Sequence, residues 1–407
     1  MKCGLLGRKL GHSYSPQIHA HLGDYPYVLF EKEPEEIETF LKTEDFTGIN
    51  VTIPYKKTVI PFLDQLTPVA EKMGAVNTIV RRDGKLIGHN TDPFGFQTMV
   101  KMSGLEVFGK KVLVLGSGGA SNTAVAVLEE MGAQVVIISR SGENCYENLH
   151  LHRDAAVIVN CTPVGMYPNP GISPVDLNLF PHAEGVLDLI YNPARTKLLL
   201  DAENRGLVAL NGLVMLVAQA KESAEWFLGK KISQDRILSI HSSLRRQMEN
   251  IILIGMPGSG KSTVGAILAQ KTGRPFVDAD IYLVKKYEKS IPQIFAEGGE
   301  SAFRALETEV LGELGKKSGL ILSTGGGCVT RKENFPLLHQ NGKIYCLNRD
   351  LQKLPTDGRP LSQAAKLTEM YRVRKPLYED FADHQIQNNG SPRSAAEDIL
   401  KLWEETL

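Results

Sequence analysis

Residues 255–262, with the sequence GMPGSGKS, carry the sharpest chemical signal in the chain. They fit the pattern G-x-x-x-x-G-K-[ST], in which glycines let backbone N–H groups wrap around phosphate oxygens at the start of a helix. Lys261 would reach the β- and γ-phosphates of a nucleotide, and the hydroxyl of Ser262 would ligate Mg²⁺. The strand-like run before this turn and the helical pattern after it are the context that the motif requires. The predicted phosphate contacts are Gly258, Ser259, Gly260, Lys261, Ser262 and Thr263.

A second glycine-rich turn, GSGGA at residues 116–120, follows the apolar run KVLVL. A turn of this kind between a strand and a helix suits the pyrophosphate of a dinucleotide. The next strand ends at Arg140 without an Asp or Glu that would bind a ribose 2′-hydroxyl, so the pattern favours NADP over NAD. The alternative for Arg140 is an exposed charge at a strand end. The predicted contacts in the turn are Gly116, Ser117, Gly118, Gly119 and Ala120.

Short apolar runs alternate with amphipathic helical patterns along the chain, which predicts an α/β fold. A length of 407 residues exceeds what one core supports, so two or three domains are expected. The two glycine turns differ in type and indicate unrelated modules. The expected order is an α/β substrate domain at 1–95, a Rossmann-like NADP domain at 96–211, helices at about 212–238 that pack back on the first domain, a linker at 239–249 and a P-loop parallel α/β domain at 250–407.

Lysine and arginine together number 46, as do aspartate and glutamate. This balance favours neither nucleic acid nor a membrane surface as a partner, and no run approaches the ~18 apolar residues of a membrane helix. The five cysteines form no CxxC pair, which is typical of reduced thiols. Because the N-terminal residues lack the pattern of a signal peptide, we expect a cytoplasmic protein.

The front of the chain contains six ordered motifs: GRKLGHSYSP at 7–16, NVTIPYK at 50–56, GAVNT at 74–78, GHNTD at 88–92, DLIYNP at 188–193 and VMLVAQ at 214–219. Together they resemble the shikimate dehydrogenase family over residues 1 to about 230. The resemblance implies that NADPH reduces 3-dehydroshikimate to shikimate without a metal. The sequence departs from the family at Lys9, usually proline, and at Ala20, usually asparagine. The stretch from Arg140 to Asp154 is also short for a helix plus a strand and lacks the family's arginine-containing loop.

This resemblance implies a role for individual motif residues. Lys56 and Asp92 would form a charge-coupled catalytic pair that supplies a proton to a developing alkoxide. Taken singly, Lys56 could be a solvated lysine and Asp92 a helix N-cap; their joint occurrence in order favours the site. The other implied contacts are Ser13 and Ser15 for the substrate carboxylate, Thr52, Asn77 and Gln219 for ring hydroxyls, Tyr191 for the cleft wall, and Leu189 and Gly212 for the cofactor.

Residues 251–407 carry a second ordered set of motifs: FVDAD at 276–280, GESAFR at 299–304, STGGG at 323–327, GRPL at 358–361 and RKPLY at 374–378. They resemble shikimate kinase, of the nucleoside-monophosphate-kinase-like group, and imply that ATP phosphorylates shikimate. Asp278 would approach Mg²⁺ through water, beside Ser262, and Asp280 would hold the acceptor hydroxyls. The other implied contacts are Arg304 and Arg374 for the shikimate carboxylate, Gly325, Gly326 and Gly327 for the ring, and Arg359 for ATP phosphates from a lid. The approach to that lid, between Leu347 and Arg359, is short for the family.

The favoured hypothesis is a bifunctional enzyme that uses NADP(H), ATP and Mg²⁺ and acts on small molecules. Two alternatives stay open. The front half could be a quinate/shikimate dehydrogenase of broader specificity that uses NAD, or one half could bind a ligand without turnover. A homo-oligomer is possible on this sequence.

Overall fold

A computed structural model describes residues 1–11, 13–354 and 364–405 of the chain. These residues form three β-sheets with accompanying helices, which confirms the predicted α/β fold. The chain divides into two compact units. The first contains Met1–Tyr191 and Thr196–Ser243, and the second contains Asn192–Arg195 and the chain from Leu244 onward.

The first sheet has six strands in the order β2-β1-β3-β5-β6-β4. The turn between β5 and β6 has positive φ at Asp83 (50°) and Gly84 (76°), which confirms the hairpin that an Asp-Gly pair predicts. The strands are β1 Cys3–Gly7, β2 Tyr27–Glu31, β3 Gly48–Val51, β4 Gln65–Leu66, β5 Thr78–Arg82 and β6 Lys85–His89; the helices are α1 Ser15–Ala20, α2 Ile37–Thr43, α3 Pro68–Met73 and α4 Asp92–Ser103.

Strand register gathers the active-site candidates of this sheet at one edge. β1 and β3 run parallel, so the loops that follow them leave the same edge. β3 pairs antiparallel with β5, with Asn50 opposite Thr78, and β5 pairs antiparallel with β6, with Thr78 opposite His89. The start of β5 and the segment after β6 therefore lie at that edge too. It is the edge from which the segments holding Ser13, Ser15, Thr52, Lys56, Asn77 and Asp92 depart.

The second sheet is parallel throughout, in the order β11-β10-β9-β7-β8. Every residue of β9 and β10 is buried, as expected for a parallel sheet covered on both faces. Between β8 and β9 lies only a 3₁₀-helix, Tyr146–His152, which matches the predicted shortness of this stretch. The strands are β7 Lys111–Leu115, β8 Gln134–Ile138, β9 Val157–Asn160, β10 Gly185–Asp188 and β11 Val208–Asn211; the helices are α5 Gly119–Glu130, α6 Lys197–Asn204 and α7 Leu213–Leu228.

The third sheet is also parallel, in the order β13-β14-β12-β15-β16. The α11 helix bends at Gly299, whose φ is 69°. The strands are β12 Asn250–Ile254, β13 Phe276–Asp278, β14 Ile321–Ser323, β15 Gly342–Asn348 and β16 His384–Gln387; the helices are α8 Asp235–Met248, α9 Lys261–Thr272, α10 Ala279–Tyr287, α11 Ile291–Gly315, α12 Asn334–His339, α13 Ala364–Phe381 and α14 Pro392–Glu405. Short 3₁₀-helices elsewhere are Pro34–Glu36, Ile60–Phe62, Leu177–Leu179, Cys328–Thr330 and Leu351–Lys353.

The predicted linker at 239–249 is wrong in one respect, because α8 runs through it to Met248. The segment is rich in charged and polar residues, yet it has an apolar stripe at helical spacing whose members are buried. An acid in the first turn and arginines in the last turn also suit the helix dipole. The stripe consists of Ile237, Ile240, Leu244 and Met248.

None of the helices in the described part of the chain is long and apolar enough to cross a lipid bilayer.

Candidate active sites

Lys56 and Asp92 form an ion pair at the edge of the first sheet. Lys56 lies in the turn segment after β3, and Asp92 is the first residue of α4. Nζ of Lys56 is 2.5 Å from Oδ2 of Asp92, with side-chain exposures of 31% and 18%. Nδ2 of Asn77 donates to the other carboxylate oxygen of Asp92 at 2.9 Å. The two predicted catalytic residues and one predicted substrate contact therefore share a half-buried site that can hold and release a proton.

Buried amide and hydroxyl groups surround this pair. One of them belongs to Thr91, which was not among the residues predicted from the sequence. The backbone N–H of Thr91 donates to Oδ1 of Asn77 at 2.9 Å, and its hydroxyl oxygen lies 3.4 Å from Oε1 of Gln219. Gln219 projects from α7 and also donates to the carbonyl of Leu216. The signal available for Thr91 was its place beside Asp92 within the GHNTD motif.

The predicted carboxylate site lies around the start of α1. The Oγ of Ser13 accepts a hydrogen bond from the backbone N–H of Ser15 at 3.2 Å. The ring of Tyr14 packs edge-on against Tyr191 with the centroids 6.1 Å apart, and burial together with Tyr14 raises the pKa of Tyr191. The N–H of Thr52 donates to the strand β1 carbonyl of Leu6. Within the described residues, no hydrogen bond joins Ser13, Ser15, Thr52 or Tyr191 to the Lys56–Asp92 pair.

The glycine turn at 116–120 connects β7 to α5 at the carboxyl edge of the second sheet. Gly116 has a φ of 110°, which a residue with a side chain rarely adopts, and its carbonyl accepts a hydrogen bond from Ser121 at 2.7 Å. A Cβ atom added at Gly118 or Gly119 would meet nothing within 4 Å, so the turn presents open backbone. Ser117, Gly118, Gly119 and Ala120 are all exposed. This arrangement can receive a pyrophosphate at the start of α5.

The other cofactor candidates lie at the same sheet edge. Arg140 follows β8, is exposed, and has no ion-pair partner among the described residues. A Cβ atom on Gly212 would lie 2.1 Å from the carbonyl oxygen of Leu189, so backbone meets backbone here and only glycine fits. Asp188, which ends β10, is fully buried, and burial raises its pKa to about 6. The hydrogen bonds that its carboxylate accepts lower the pKa and partly offset this effect.

The turn at 255–262 joins β12 to α9 in the third sheet. Lys261 is buried, and its Nζ donates to the carbonyl oxygens of Gly255 at 3.0 Å and Met256 at 3.1 Å. Gly258 and Gly260 have φ values of 83° and 95°. The turn is braced by a residue that the sequence interpretation missed, because Nδ2 of Asn388 donates to the carbonyl of Ser259 at 2.7 Å.

A cavity of about 840 Å³ opens beside this turn. Arg349, which the sequence interpretation did not include, also lines it. Ser259 does not, because it is fully buried and its N–H already donates to the carbonyl of Met256. Arg359 lies outside the described residues. The predicted residues that line the cavity are Gly258, Gly260, Lys261, Ser262, Thr263, Asp278, Asp280, Arg304, Gly325, Gly326, Gly327 and Arg374.

A buried ion pair forms part of the wall of this cavity. Arg304 donates to Glu307 at 2.7 Å, with side-chain exposures of 9% and 2%. Burial raises the pKa of Glu307, and the Arg304 guanidinium opposes this by favouring the carboxylate. Glu307, to which the sequence analysis assigned no role, lines the cavity.

The loop of the three glycines at 325–327 packs closely against the side chains of this wall. A Cβ atom on Gly325 would lie 2.4 Å from Oε1 of Glu307 and 2.9 Å from Oδ1 of Asp280, and one on Gly327 would lie 2.0 Å from the Arg304 guanidinium. Arg374 donates to the carbonyl of Gly326 at 3.1 Å. Glycine is therefore required sterically wherever these side chains approach the loop.

The pair Ser262 and Asp278 fits a magnesium ion chemically. The Ser262 hydroxyl donates to Oδ2 of Asp278 at 2.7 Å, so two oxygen ligands already lie side by side next to the phosphate turn. Mg²⁺ in phosphoryl-transfer enzymes is held by one or two protein oxygens, with water and phosphate completing its shell. No group of three or more His, Cys, Asp or Glu side chains arranged for a metal occurs in the described ranges.

Two phosphate-binding turns at the carboxyl edges of two parallel sheets define the class of this protein. One of these sheets lies in the compact unit that also contains the Lys56–Asp92 pair, and the other lies beside a cavity lined by acids and arginines. The chain is thus an α/β enzyme with a dinucleotide site and a kinase-type phosphate site.

Comparisons with known proteins specify the family. The model of the shikimate kinase family matches residues 257–404, and that of the shikimate dehydrogenase substrate binding domain matches residues 5–79. A shikimate dehydrogenase (NADP(+)) from Clostridium perfringens is 36% identical over 265 residues, covering 60% of this chain and 97% of that protein. The chain belongs to the shikimate dehydrogenase family and carries a shikimate kinase domain in its C-terminal part.

Solved structures agree with this assignment for the front of the chain. Shikimate dehydrogenase 1 from Peptoclostridium difficile is 39% identical with a TM-score of 0.55, covering 60% of this chain and 98% of that chain. A chorismate mutase/shikimate 5-dehydrogenase fusion protein from Clostridium acetobutylicum is 36% identical with a TM-score of 0.57, covering 60% and 96%. That protein is itself a fusion of a shikimate 5-dehydrogenase with another enzyme.

Proposed function

We propose that this chain catalyses two consecutive reactions. The first reduces 3-dehydroshikimate to shikimate with NADPH, and the second phosphorylates the 3-hydroxyl of shikimate with ATP and Mg²⁺. The observation that supports this most directly is that both sets of catalytic groups are brought together. Lys56 and Asp92 form an ion pair, and the predicted kinase residues line one cavity beside Lys261. The product of the first reaction is the substrate of the second, which supports their pairing.

In the reductase, Lys56 supplies the proton that the new alkoxide requires, and Asp92 orients the ammonium group. When bound, NADPH supplies the hydride that is added to the carbonyl carbon. Leu189 and Gly212, whose backbones are in close contact, would line the site of the cofactor when it is bound. Ser13 and Ser15 hold the substrate carboxylate, while Thr52, Asn77 and Gln219 bind ring hydroxyls and Tyr191 closes the cleft.

In the kinase, Arg304 and Arg374 hold the shikimate carboxylate, and Asp280 accepts a hydrogen bond from the attacking hydroxyl. Both arginines are already oriented, one by Glu307 and one by the carbonyl of Gly326. ATP supplies the phosphoryl group, with Mg²⁺ held beside Ser262 and Asp278. Phosphoryl transfer needs mainly positioning and charge stabilisation, which these groups provide.

We further propose that the reductase prefers NADPH over NADH. The exposed Arg140 and the absence of an acid at the end of β8 support this preference. The short stretch before β9 lacks the arginine-containing loop that is usual in the family. We therefore expect the preference for NADPH to be moderate. In the Arg140→Asp variant, the preference for NADPH over NADH should narrow or reverse. The measurement is kcat/KM with each of the two cofactors. Equal efficiency in the wild type would contradict the proposal.

The test is a coupled assay on the purified full-length protein with dehydroshikimate, NADPH, ATP and Mg²⁺, followed by mass spectrometry. Shikimate 3-phosphate should accumulate, shikimate alone should form without ATP, and nothing should form without NADPH. Parallel assays with quinate and NAD test the broader specificity. No turnover in one half, despite nucleotide binding there, would identify that half as a ligand-binding module and refute the bifunctional proposal.

A further inference from the structure

Ser223 is a serine on α7, one helical turn beyond Gln219, and it has no exposure to solvent. Four polar groups surround its hydroxyl oxygen. Nδ2 of Asn50 and Oγ1 of Thr78 each lie 2.8 Å from it, Oγ1 of Thr91 lies 3.2 Å away, and the carbonyl oxygen of Gln219 lies 3.0 Å away. All three side-chain partners are themselves buried.

Each of these side-chain partners is close in sequence to a residue of the proposed reductase site. The partners come from three different segments, at the end of β3, at the start of β5 and just before α4. One hydroxyl on α7 therefore ties together the segments that carry the catalytic pair. The neighbours are Lys56 for Asn50, Asn77 for Thr78, and Asp92 for Thr91.

The hydrogen-bonding capacity of Ser223 is filled by these partners. A hydroxyl has one proton to donate and two lone pairs that accept. The proton goes to the carbonyl oxygen of Gln219, because that oxygen can only accept, whereas the amide N–H of Asn50 can only donate. One lone pair takes that N–H, and the other takes the hydroxyl of one of the two threonines.

The remaining threonine hydroxyl fixes the amide of Asn77. Both threonine hydroxyls lie within reach of Oδ1 of Asn77, at 3.0 and 3.2 Å, and this oxygen also accepts the backbone N–H of Thr91 at 2.9 Å. When one threonine hydroxyl is bound to Ser223, two donors remain for Oδ1 of Asn77: the other threonine hydroxyl and the backbone N–H of Thr91. They fill the two lone pairs of this oxygen. Nδ2 of Asn77 must then face Asp92, where it donates at 2.9 Å.

Removing the Ser223 hydroxyl unbalances this arrangement. Three donors then face the two lone pairs of Asn77 Oδ1, and the Thr91 hydroxyl turns to its longer contact with Oε1 of Gln219, at 3.4 Å. The Asn77 amide keeps its orientation, with the N–H of Thr91 at its oxygen and Asp92 at its nitrogen, but it is held less firmly. We propose that Ser223 is a positioning residue for the Lys56–Asp92 pair, acting through Asn77. The inference rests on the proposed reductase function, since Ser223 touches no reacting atom.

The experiment compares wild-type protein with Ser223→Ala in the full chain. We expect kcat for dehydroshikimate reduction to fall roughly tenfold, the loss of about one net hydrogen bond, while KM for NADPH stays within about twofold. The kinetic isotope effect with NADPH deuterated at the transferred position should increase, because a misplaced acid slows the chemical step. A purely structural role would leave that isotope effect unchanged.

Thr98→Ala is the matched control, because Thr98 makes the same type of hydroxyl bond to a helix carbonyl, that of Phe94, at 2.8 Å on α4. It should leave kcat and the isotope effect as in the wild type. Equal kcat in wild type and Ser223→Ala would overturn the inference alone, whereas a wild type without reductase activity would overturn the proposed function. If Ser223→Ala is insoluble, Ser223→Cys decides: a several-fold lower kcat supports the role, and a wild-type kcat contradicts it.

Discussion

At the residue scale, the reductase site depends on the contact between Lys56 and Asp92. We expect Lys56→Ala to lower kcat for dehydroshikimate reduction by roughly 10²–10⁴-fold, the usual contribution of a general acid. The kinase activity of the same protein should stay near the wild-type value. Lys57→Ala is the control, because Lys57 is the exposed neighbour in the same turn. More than half of the wild-type reductase rate in Lys56→Ala would exclude the role.

The glycine loop of the kinase cavity offers a second test at this scale. A Cβ atom on Gly327 would lie 2.0 Å from the Arg304 guanidinium, so Gly327→Ala must displace the arginine from Glu307. A charged hydrogen bond contributes about 1.5–3 kcal/mol, and KM for shikimate should therefore rise roughly 10–100-fold with little change in KM for ATP.

Gly312→Ala on α11 controls for the Gly327 substitution. Its Cβ atom would come no closer than 3.8 Å to any atom, an ordinary contact. We expect steady-state constants like those of the wild type. Similar KM values for shikimate in Gly327→Ala and Gly312→Ala would show that Arg304 does not hold the substrate.

At the element scale, His19 anchors α1, the helix that starts beside Ser13. Its ring stacks on Tyr27 at 4.1 Å and its Nδ1 lies 2.8 Å from the hydroxyl of Tyr25, and complete burial lowers its pKa to about 3. The folded pKa is below the unfolded value of 6.5, so the unfolded state binds the proton first as pH falls. The stabilisation is complete above about pH 6.5 and is lost progressively towards pH 3.

The expected loss at pH 5 is about 2 kcal/mol, since each pKa unit corresponds to about 1.4 kcal/mol. His19→Gln removes this titration, so its thermal midpoint should change less between pH 7 and pH 5 than that of the wild type. His21→Gln, at an exposed position on the same turn, should keep the wild-type dependence. Identical pH dependence in all three proteins would show that His19 does not titrate as the buried ring requires.

Glycine-rich and Asp-Gly signals gave the most direct predictions of local structure. Both glycine-rich turns between a strand and a helix, the hairpin at Asp83 and the short stretch before β9 were predicted and are observed. The α8 helix was missed because its four apolar residues are spread among charges, so the segment resembles a linker in composition. Thr91 and Ser223 were missed for another reason: a buried hydroxyl acts through partners that are distant in sequence, and no spacing rule encodes them.

At the scale of the whole molecule, two phosphate-binding turns of different type lie in different compact units. The first unit contains the first and second sheets, the second unit contains the third, and each unit has its own set of charged groups. All contacts given above for Lys56 fall within the first unit, and those for Lys261 fall within the second. The two chemistries should therefore be separable by single substitutions in the intact chain.

Lys261→Ala tests this separation. The substitution deletes the ammonium group that would meet the β- and γ-phosphates, and kinase activity should fall by at least roughly 10²–10³-fold, as when one preorganised charge contact is removed. Reductase kcat and KM should match the wild type, because no group of that site is altered. Lys271→Ala, on the same helix but exposed and paired with Glu397, should keep both activities. A reductase rate that falls in parallel with the kinase rate in Lys261→Ala, but not in Lys271→Ala, would mean that the two sites are coupled and that the proposal of independent modules is wrong.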